Sequence, residues 1–443
     1  MRKLLRLLVV AFVVLVPVAA QAEVKEVISR GGVRAWLVED HALPLITMNF
    51  AFEGGSAIDP ASKEGLTALL ASMLDEGAGD LDSRAFQAAL SDRSISMGFS
   101  ADEDALFGSI KLLTREKDNA FALLRLALHA PRFDNEAIER MREALIAQRQ
   151  YGLSDSNWLA SQGFEQVAMG NHPYGRAANG TVSSLRNISR DDLIAAVPQH
   201  VVRNRLKVAV VGDISPAELA GLLDQVFADL PQGADKIELP SLKVGGAGEL
   251  ALISRDQPQT VLMGALPGLK RDDPDWFSAL IMNYVLGGDF QSRLMKEIRI
   301  KRSLTYGIST ALVPYKAGGV LYAMASADND KVAALLDELK EQMRKMAMSG
   351  VSETELSEAK TYLTGSFALR FNSSNGIADV LLEIQRLGFS ASYLTERATL
   401  INNVTGADVA RMAEQLMKPE ALTLIAVGNP QGLTPTRSLT IQP

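Results

Sequence analysis

Ala68-Leu-Leu-Ala-Ser-Met-Leu-Asp-Glu-Gly77 and Ala279-Leu-Ile-Met-Asn-Tyr-Val-Leu-Gly-Gly288 lie 211 residues apart and read as the same apolar helix followed by the same turn. Two further pairs keep the order. Arg93-Ser-Ile-Ser-Met-Gly-Phe-Ser100 answers to Arg302-Ser-Leu-Thr-Tyr-Gly-Ile-Ser309 at an offset of 209, and Val208-Ala-Val-Val-Gly-Asp213 to Leu424-Ile-Ala-Val-Gly-Asn429 at 216. Matches in one order with so little drift mark an internal duplication, so the chain reads as two homologous domains of about 200 residues each. Residues 231–249 are rich in Gly and polar residues and read as the linker between them. The expected organisation is residues 1–22 as a signal peptide, 23–230 as the first domain, 231–249 as the linker and 250–443 as the second.

Within a half, strand-like and helix-like stretches are interspersed. Val33–Val38, Leu45–Phe52, Ile95–Ser100, Ala105–Leu113 and Leu206–Val211 are rich in β-branched and aromatic residues and predict strands. Gly65–Leu74 carries Leu66, Leu69, Leu70, Met73 and Leu74 on one helical face. Ser83–Ser91 reads as a helix opened by an Asp82/Ser83 cap, and Asn119–His129, Asn135–Tyr151 and the stretch from Asp191 as further helices. Strict βαβ repetition is absent. The pattern favours an α+β class: in each half, a largely antiparallel sheet with helices packed on one face.

At the N-terminus, Arg2, Lys3 and Arg6 precede the apolar run Leu7–Val16 and the small-x-small site Ala20-Gln21-Ala22. This is the pattern of a cleaved secretory signal, too short to span a membrane comfortably, and it predicts a soluble periplasmic product. Removing three basic residues from 45 leaves 42 against 52 acidic, a net charge of −10. No basic block stands out, which argues against nucleic acid and against anionic membrane surfaces as partners.

The chain has no cysteine, which excludes disulfides, thiolate metal sites and cysteine nucleophiles. Its four histidines are His41, His129, His172 and His200, and no two lie within five residues of each other, so local zinc-ligand spacing is missing. No nucleophile elbow, phosphate loop or dinucleotide fingerprint occurs. The pairs Gly54-Gly55 and Gly287-Gly288 read as turns. The strongest functional candidate is Ser292–Gly307, expected to be a short helix running into a strand at Leu304. Arg293, Lys296 and Arg299 recur at every third position, with Arg302 next, beside Tyr306. Such a cluster in an acidic protein either grips a peptide carboxylate or carbonyl, with Arg293 and Arg302 as substrate contacts, or is a solvated helix face.

These residues resemble a known family. Val38-Glu-Asp-His-Ala-Leu-Pro-Leu, Phe52-Glu-Gly-Gly-Ser-Ala-Ile-Asp, Lys63-Glu-Gly-Leu and His172-Pro-Tyr-Gly are similar to the first half of the pitrilysin/insulinase superfamily of zinc metallopeptidases, in its short bacterial branch related to mitochondrial processing peptidase. Gly287-Gly-Asp-Phe-Gln-Ser-Arg-Leu and Arg299-Ile-Lys-Arg-Ser-Leu-Thr-Tyr are similar to the second half. The resemblance implies two α+β halves arranged as a clamshell over an unfolded peptide. It also exposes a departure: where the family carries His-x-x-Glu-His, this chain has Ala68, Ala71 and Ser72. Glu143 stands near the position of the third ligand, and one carboxylate cannot hold zinc alone. The family's substrate-holding arginine and tyrosine are present as Arg299 and Tyr306. The resemblance therefore implies a subunit that binds no cofactor of its own and pairs with a zinc-bearing homologue. Peptidase activity would then arise only in the pair. The alternatives are a stand-alone peptide-binding scaffold, and a metallopeptidase with unrecognised ligands.

Overall fold

The computed structural model describes residues 23–234 and 237–442; the signal-peptide reading lies outside them. Among the described residues, no helix is long and apolar enough to cross a membrane.

The first sheet contains β1 (Val24–Ile28), β2 (Arg34–Glu39), β3 (Leu45–Glu53), β4 (Ser96–Ala101), β5 (Ala105–Leu113) and β6 (Leu206–Gly212). Their spatial order is β1-β2-β6-β3-β5-β4, antiparallel except for the β2–β6 pair. The second contains β7 (Leu250–Ser254), β8 (Gln259–Pro267), β9 (Gly307–Tyr315), β10 (Gly318–Asp328), β11 (Thr423–Gly428) and β12 (Arg437–Ser438), in the order β12-β7-β11-β8-β10-β9. Setting aside β1 and β12, the two orders are identical, and β11–β7 repeats the parallel pair of β6–β2. The repeat extends to backbone angles. Ser94 and Ser303 are both left-handed, with φ of 53° and 52°. Gly212 and Gly428 have φ of 143° and 148°, and a Cβ at Gly212 would lie 2.1 Å from the carbonyl oxygen of Leu45.

The central strand β3 is buried along almost its whole length, Ile46 to Phe52, so both sheet faces are covered. One face packs on helices of its own half. There, Phe50 and Phe52 meet Phe227, with Phe50 edge-on to Phe227 at 5.5 Å between ring centroids. The other face is covered by a helix from the opposite half. Helix Ser374–Arg386 places Ala378, Leu381 and Leu382 against Val38, Ala51, Ala105, Ala209 and Val211 of the first sheet. The reverse exchange also occurs: helix Ser156–Phe164 sets Leu159, Ala160 and Phe164 against Ala251, Ile253, Val261, Met263, Ile425 and Val427 of the second. Helices on one face thus hold within each half, and the second face is completed in trans.

The segment 231–249 has neither helix nor strand among its described residues and runs along this seam. Leu242 donates its N–H to Ala317, and Gly245 donates its N–H to Ala168. The tip of the β9–β10 hairpin is latched to the first half. The Tyr174 hydroxyl donates to Asp104 at 2.5 Å and accepts the N–H of Ala317 at 3.1 Å, while Asp104 also accepts the N–H of Lys316 at 3.0 Å. The His172-Pro-Tyr-Gly segment is therefore a structural fastener as well as a turn.

Candidate functional site

Helix Leu66–Met73 stands where a zinc motif would. It opens at Gly65, whose φ of 85° and closeness to Gly180 leave no room for a side chain. Ala71 is 2% exposed and packs into the core beside Leu69, Leu70 and Met73. Ala68 and Ser72 are half-buried, and the Ser72 hydroxyl turns back onto the carbonyl of Leu69 at 2.8 Å. Glu143 lies exposed on helix Asn135–Gly152. Methyl groups and one internally bonded hydroxyl supply no zinc ligand, and no three His, Asp or Glu side chains converge to hold a metal among the described residues. The donor set does not fit zinc.

The histidines are scattered and each has its own partner. His41 contacts Asp213 at 2.7 Å, while His129 and His172 contact the backbone oxygens of Val226 and Pro240, each at 2.7 Å. His200 is buried, bonded to the Gly54 carbonyl at 2.8 Å and 3.2 Å from the Thr67 hydroxyl, which itself bonds Asp59. Burial pushes the His200 ring down to about 4 and the Asp59 carboxyl up to about 6. The two act in opposite directions. The neutral histidine gives stability that is full above its ordinary value of 6.5 and lost as pH falls toward 4. The carboxyl gives stability that is full below its ordinary 3.8 and lost as pH rises through 6. Their slopes oppose in the wild type. In Asp59→Asn only the histidine remains, and urea unfolding should show a loss of about 2 kcal/mol between pH 6.5 and 4.5 that the wild type lacks. A flat profile in that variant would remove His200 from the account.

The cationic run divides sharply. Its helical turn, Met295–Ile300, buries Met295 and Ile298 and turns its basic residues outward. Arg293 is taken up by Glu355, with two contacts of 2.7 Å, and by the Gly350 carbonyl at 2.8 Å. That hydrogen-bonded guanidinium holds the Glu355 carboxyl down at about 2. Arg302 bonds the carboxylate and carbonyl of Glu297, each at 2.9 Å, and lies 3.2 Å from Glu338. Both serve as internal ties between elements. Lys296 is exposed. Arg299 differs: half-buried, it stacks over the Phe290 ring at 4.8 Å and makes no ion pair among the described residues.

The chain then reverses at Ser303, and the Thr305 hydroxyl ties the run-in to the Ser326 carbonyl at 2.5 Å, so β9 begins at Gly307 rather than at the expected Leu304. This brings Arg299 and the 75% exposed Tyr306 into one pocket of about 310 Å³, whose lining includes Leu304, Ala327, Asp328 and Lys331. Beside it, a groove of about 430 Å³ runs past Gly287, Gly288, Phe290, Gly307 and Ser309 along β9. β9 is an open sheet edge.

A cavity of about 390 Å³ between the halves has no counterpart in the sequence reading. Glu103, Glu165, Tyr174, Tyr315 and Tyr322 line it. Burial, then the neighbouring Glu103 charge, pushes the Glu165 carboxyl up to about 8. Only the His172-Pro-Tyr-Gly segment gave a signal near it, because the cavity's remaining residues are brought together by the helix exchange.

Comparison with known proteins agrees with this geometry. Residues 187–363 match the family model described as "Peptidase M16 inactive domain". The chain is 28% identical over 371 residues to the "Non-peptidase homolog YmxG" of Helicobacter pylori, covering 83% of this chain and 84% of that one. It is 24% identical over 330 residues to the "Probable mitochondrial-processing peptidase subunit beta" of Schizosaccharomyces pombe, covering 71% of each. The crystal structure of a peptidase M16 inactive domain from Pseudomonas fluorescens superposes with a TM-score of 0.86 at 25% identity, covering 93% of this chain and all of that one. Along most of its length the chain is similar to proteins of the pitrilysin-like M16 superfamily, and its residues 187–363 match the domain that the family model describes as inactive.

Proposed function

We propose that this chain is the non-zinc-binding subunit of a heterodimeric periplasmic peptidase. It would bind unfolded peptide along β9 and present Arg299 and Tyr306 to a reaction carried out by a zinc-bearing homologous subunit. The observation that carries the reading is the contrast within one cationic run. Arg293 and Arg302 are tied down by acids, whereas Arg299 lies over the Phe290 ring beside an exposed phenol and has no ion pair among the described residues. An extended peptide adds to an open edge through main-chain hydrogen bonds, and a phenol donor placed at a carbonyl stabilises negative charge as it develops there. The donor set at Ala68, Ala71 and Ser72 leaves activation of water to the partner.

The test is to co-express the chain with a homologue carrying His-x-x-Glu-His, isolate the complex and measure peptide cleavage. Replacing Tyr306 by Phe in the complex should lower kcat about a hundredfold, the usual scale for losing one oxyanion donor. Cleavage at the wild-type rate would overturn the assignment of Tyr306.

A further inference from the structure

We propose that a pocket at the starts of β2 and β6, under the end of the helix Ser374–Arg386, binds a small phosphomonoester that carries a flat ring. It shares no residue with the groove along β9 or with the pocket of Arg299 and Tyr306, and it is independent of the peptide-binding reading.

The strand register puts its side chains on one face. Glu26 of β1 lies opposite Trp36 of β2, and Ile28 opposite Arg34. Trp36 lies beside Ala209 of β6, and Lys207 stands two residues before Ala209, on the same face. Helix Ser374–Arg386 covers that face over Ala209 and Val211. Its last turn is fastened by the Gln385 amide, which donates to the Val208 carbonyl at 2.9 Å, and the chain then turns at Gly388, where φ is 77°. Beyond this end a pocket of about 390 Å³ opens, lined by Trp36, Lys207, Gln385 and Phe389 with Glu26, Arg34 and Arg203.

The first observation is charge. Three cations from separate stretches of an acidic chain meet one carboxylate in the lining. Arg34 spends one nitrogen on Glu26 at 3.2 Å. Arg203 bonds neutral oxygens, the carbonyls of Gly31 at 3.2 Å and Ala228 at 2.8 Å, which leave its charge uncancelled. Lys207 is half-buried, and its ammonium has neither an ion pair nor a hydrogen bond among the described residues. A half-buried ammonium gives up hydration without return unless an anion joins it. A carboxylate brings one charge, whereas a phosphomonoester brings nearly two at pH 7 and matches the surplus.

The second is the internal repeat. At the offset of 216 that relates β6 to β11, Lys207 answers to Thr423. There the chain fills the place itself: the Thr423 hydroxyl donates to the Gly245 carbonyl at 2.5 Å, and a Cβ at Gly246 would come within 3.0 Å of the Thr423 methyl. The first half leaves the equivalent seat open and sets a cation in it. The third is the apolar wall. Trp36 follows Arg34 by two residues on one face of β2, about 7 Å along the strand, and Phe389 lies in the same lining. A ring attached directly to the phosphate reaches these aromatic side chains while the head stays between Arg34 and Lys207.

Isothermal titration calorimetry on the whole chain tests this with phenyl phosphate, inorganic phosphate and benzoate. Phenyl phosphate should bind about tenfold tighter than either of the others, the scale of one good contact. Lys207→Gln should weaken it about tenfold, Lys207→Arg should restore most of the affinity, and Trp36→Leu should shrink the preference over inorganic phosphate. Thermal unfolding without ligand shows that each variant is folded; Arg34→Gln, at an exposed position, gives the same readout as Lys207→Gln in case the latter does not fold. Inorganic phosphate binding as tightly as phenyl phosphate overturns the role of the ring. Benzoate binding as tightly overturns the doubly charged head. Full affinity in both Lys207→Gln and Arg34→Gln overturns the location, and no binding of any probe overturns the site, with peptide binding along β9 untouched in every case.

Discussion

Rebuilding the zinc motif, as Ala68→His, Ala71→Glu and Ser72→His together, should cost about 3–5 kcal/mol of stability when a chelator is present. Ala71 accounts for most of this. Its methyl group is 2% exposed, packed within the first half's core. A glutamate there must bury an unpaired carboxylate and also force its extra atoms into filled space. Ala68 and Ser72 are half-buried, and their replacement should cost much less. Urea unfolding of Ala71→Glu alone and of the Ala68→His/Ser72→His pair separates the two contributions. An Ala71→Glu protein as stable as wild type would mean that this position still faces open space. The expected outcome has a consequence for the site: its chemistry has been replaced by packing, and restoring the ligand types alone does not restore a cleft.

The second large effect is expected at the seam. Leu381 is fully buried, and it lies on a helix of the second half while packing on the sheet of the first. Leu381→Ala should cost about 3 kcal/mol through the cavity it leaves, and Leu381→Asp should prevent stable folding altogether. Because each sheet is completed by a helix of the other half, the loss should be felt by both halves in a single transition. Trp36 in the first half and Trp276 in the second allow tryptophan fluorescence and circular dichroism to follow this together. Two separate transitions, with only the second shifted by Leu381→Ala, would contradict the coupling.

Much of the fold was legible because local signals and tertiary demands agree. The strand expected at Ala105–Leu113 is observed with those bounds, and the three repeated segments land on equivalent elements: a helix in each half, the strands β4 and β9, and the strands β6 and β11. The helix exchange was not legible. Ala378, Leu381 and Leu382 form an ordinary apolar stripe, and periodicity says that a face is buried without saying against which sheet. The candidate site shows the same limit. Spacing treats Arg293, Arg299 and Arg302 alike, and what separates them is Glu355, distant in sequence, which takes up Arg293, and the local Glu297 together with the distant Glu338, which take up Arg302. The start of β9 moved because Ser303 adopts a left-handed conformation and Thr305 anchors to β10, and neither event has a hydrophobic pattern.

The exchanged helices also order events in time. The first sheet is complete once synthesis has passed Gly212, yet the face bearing Ala51, Ala209 and Val211 stays uncovered until residues up to Arg386 exist. For that interval the nascent first half shows an apolar, strand-built surface to its surroundings, the kind of surface on which chains aggregate or holdases bind. Maturation of this protein should therefore be sensitive to how fast the second half follows the first. Slowing elongation between the two halves should lower the yield of folded protein without altering the final structure.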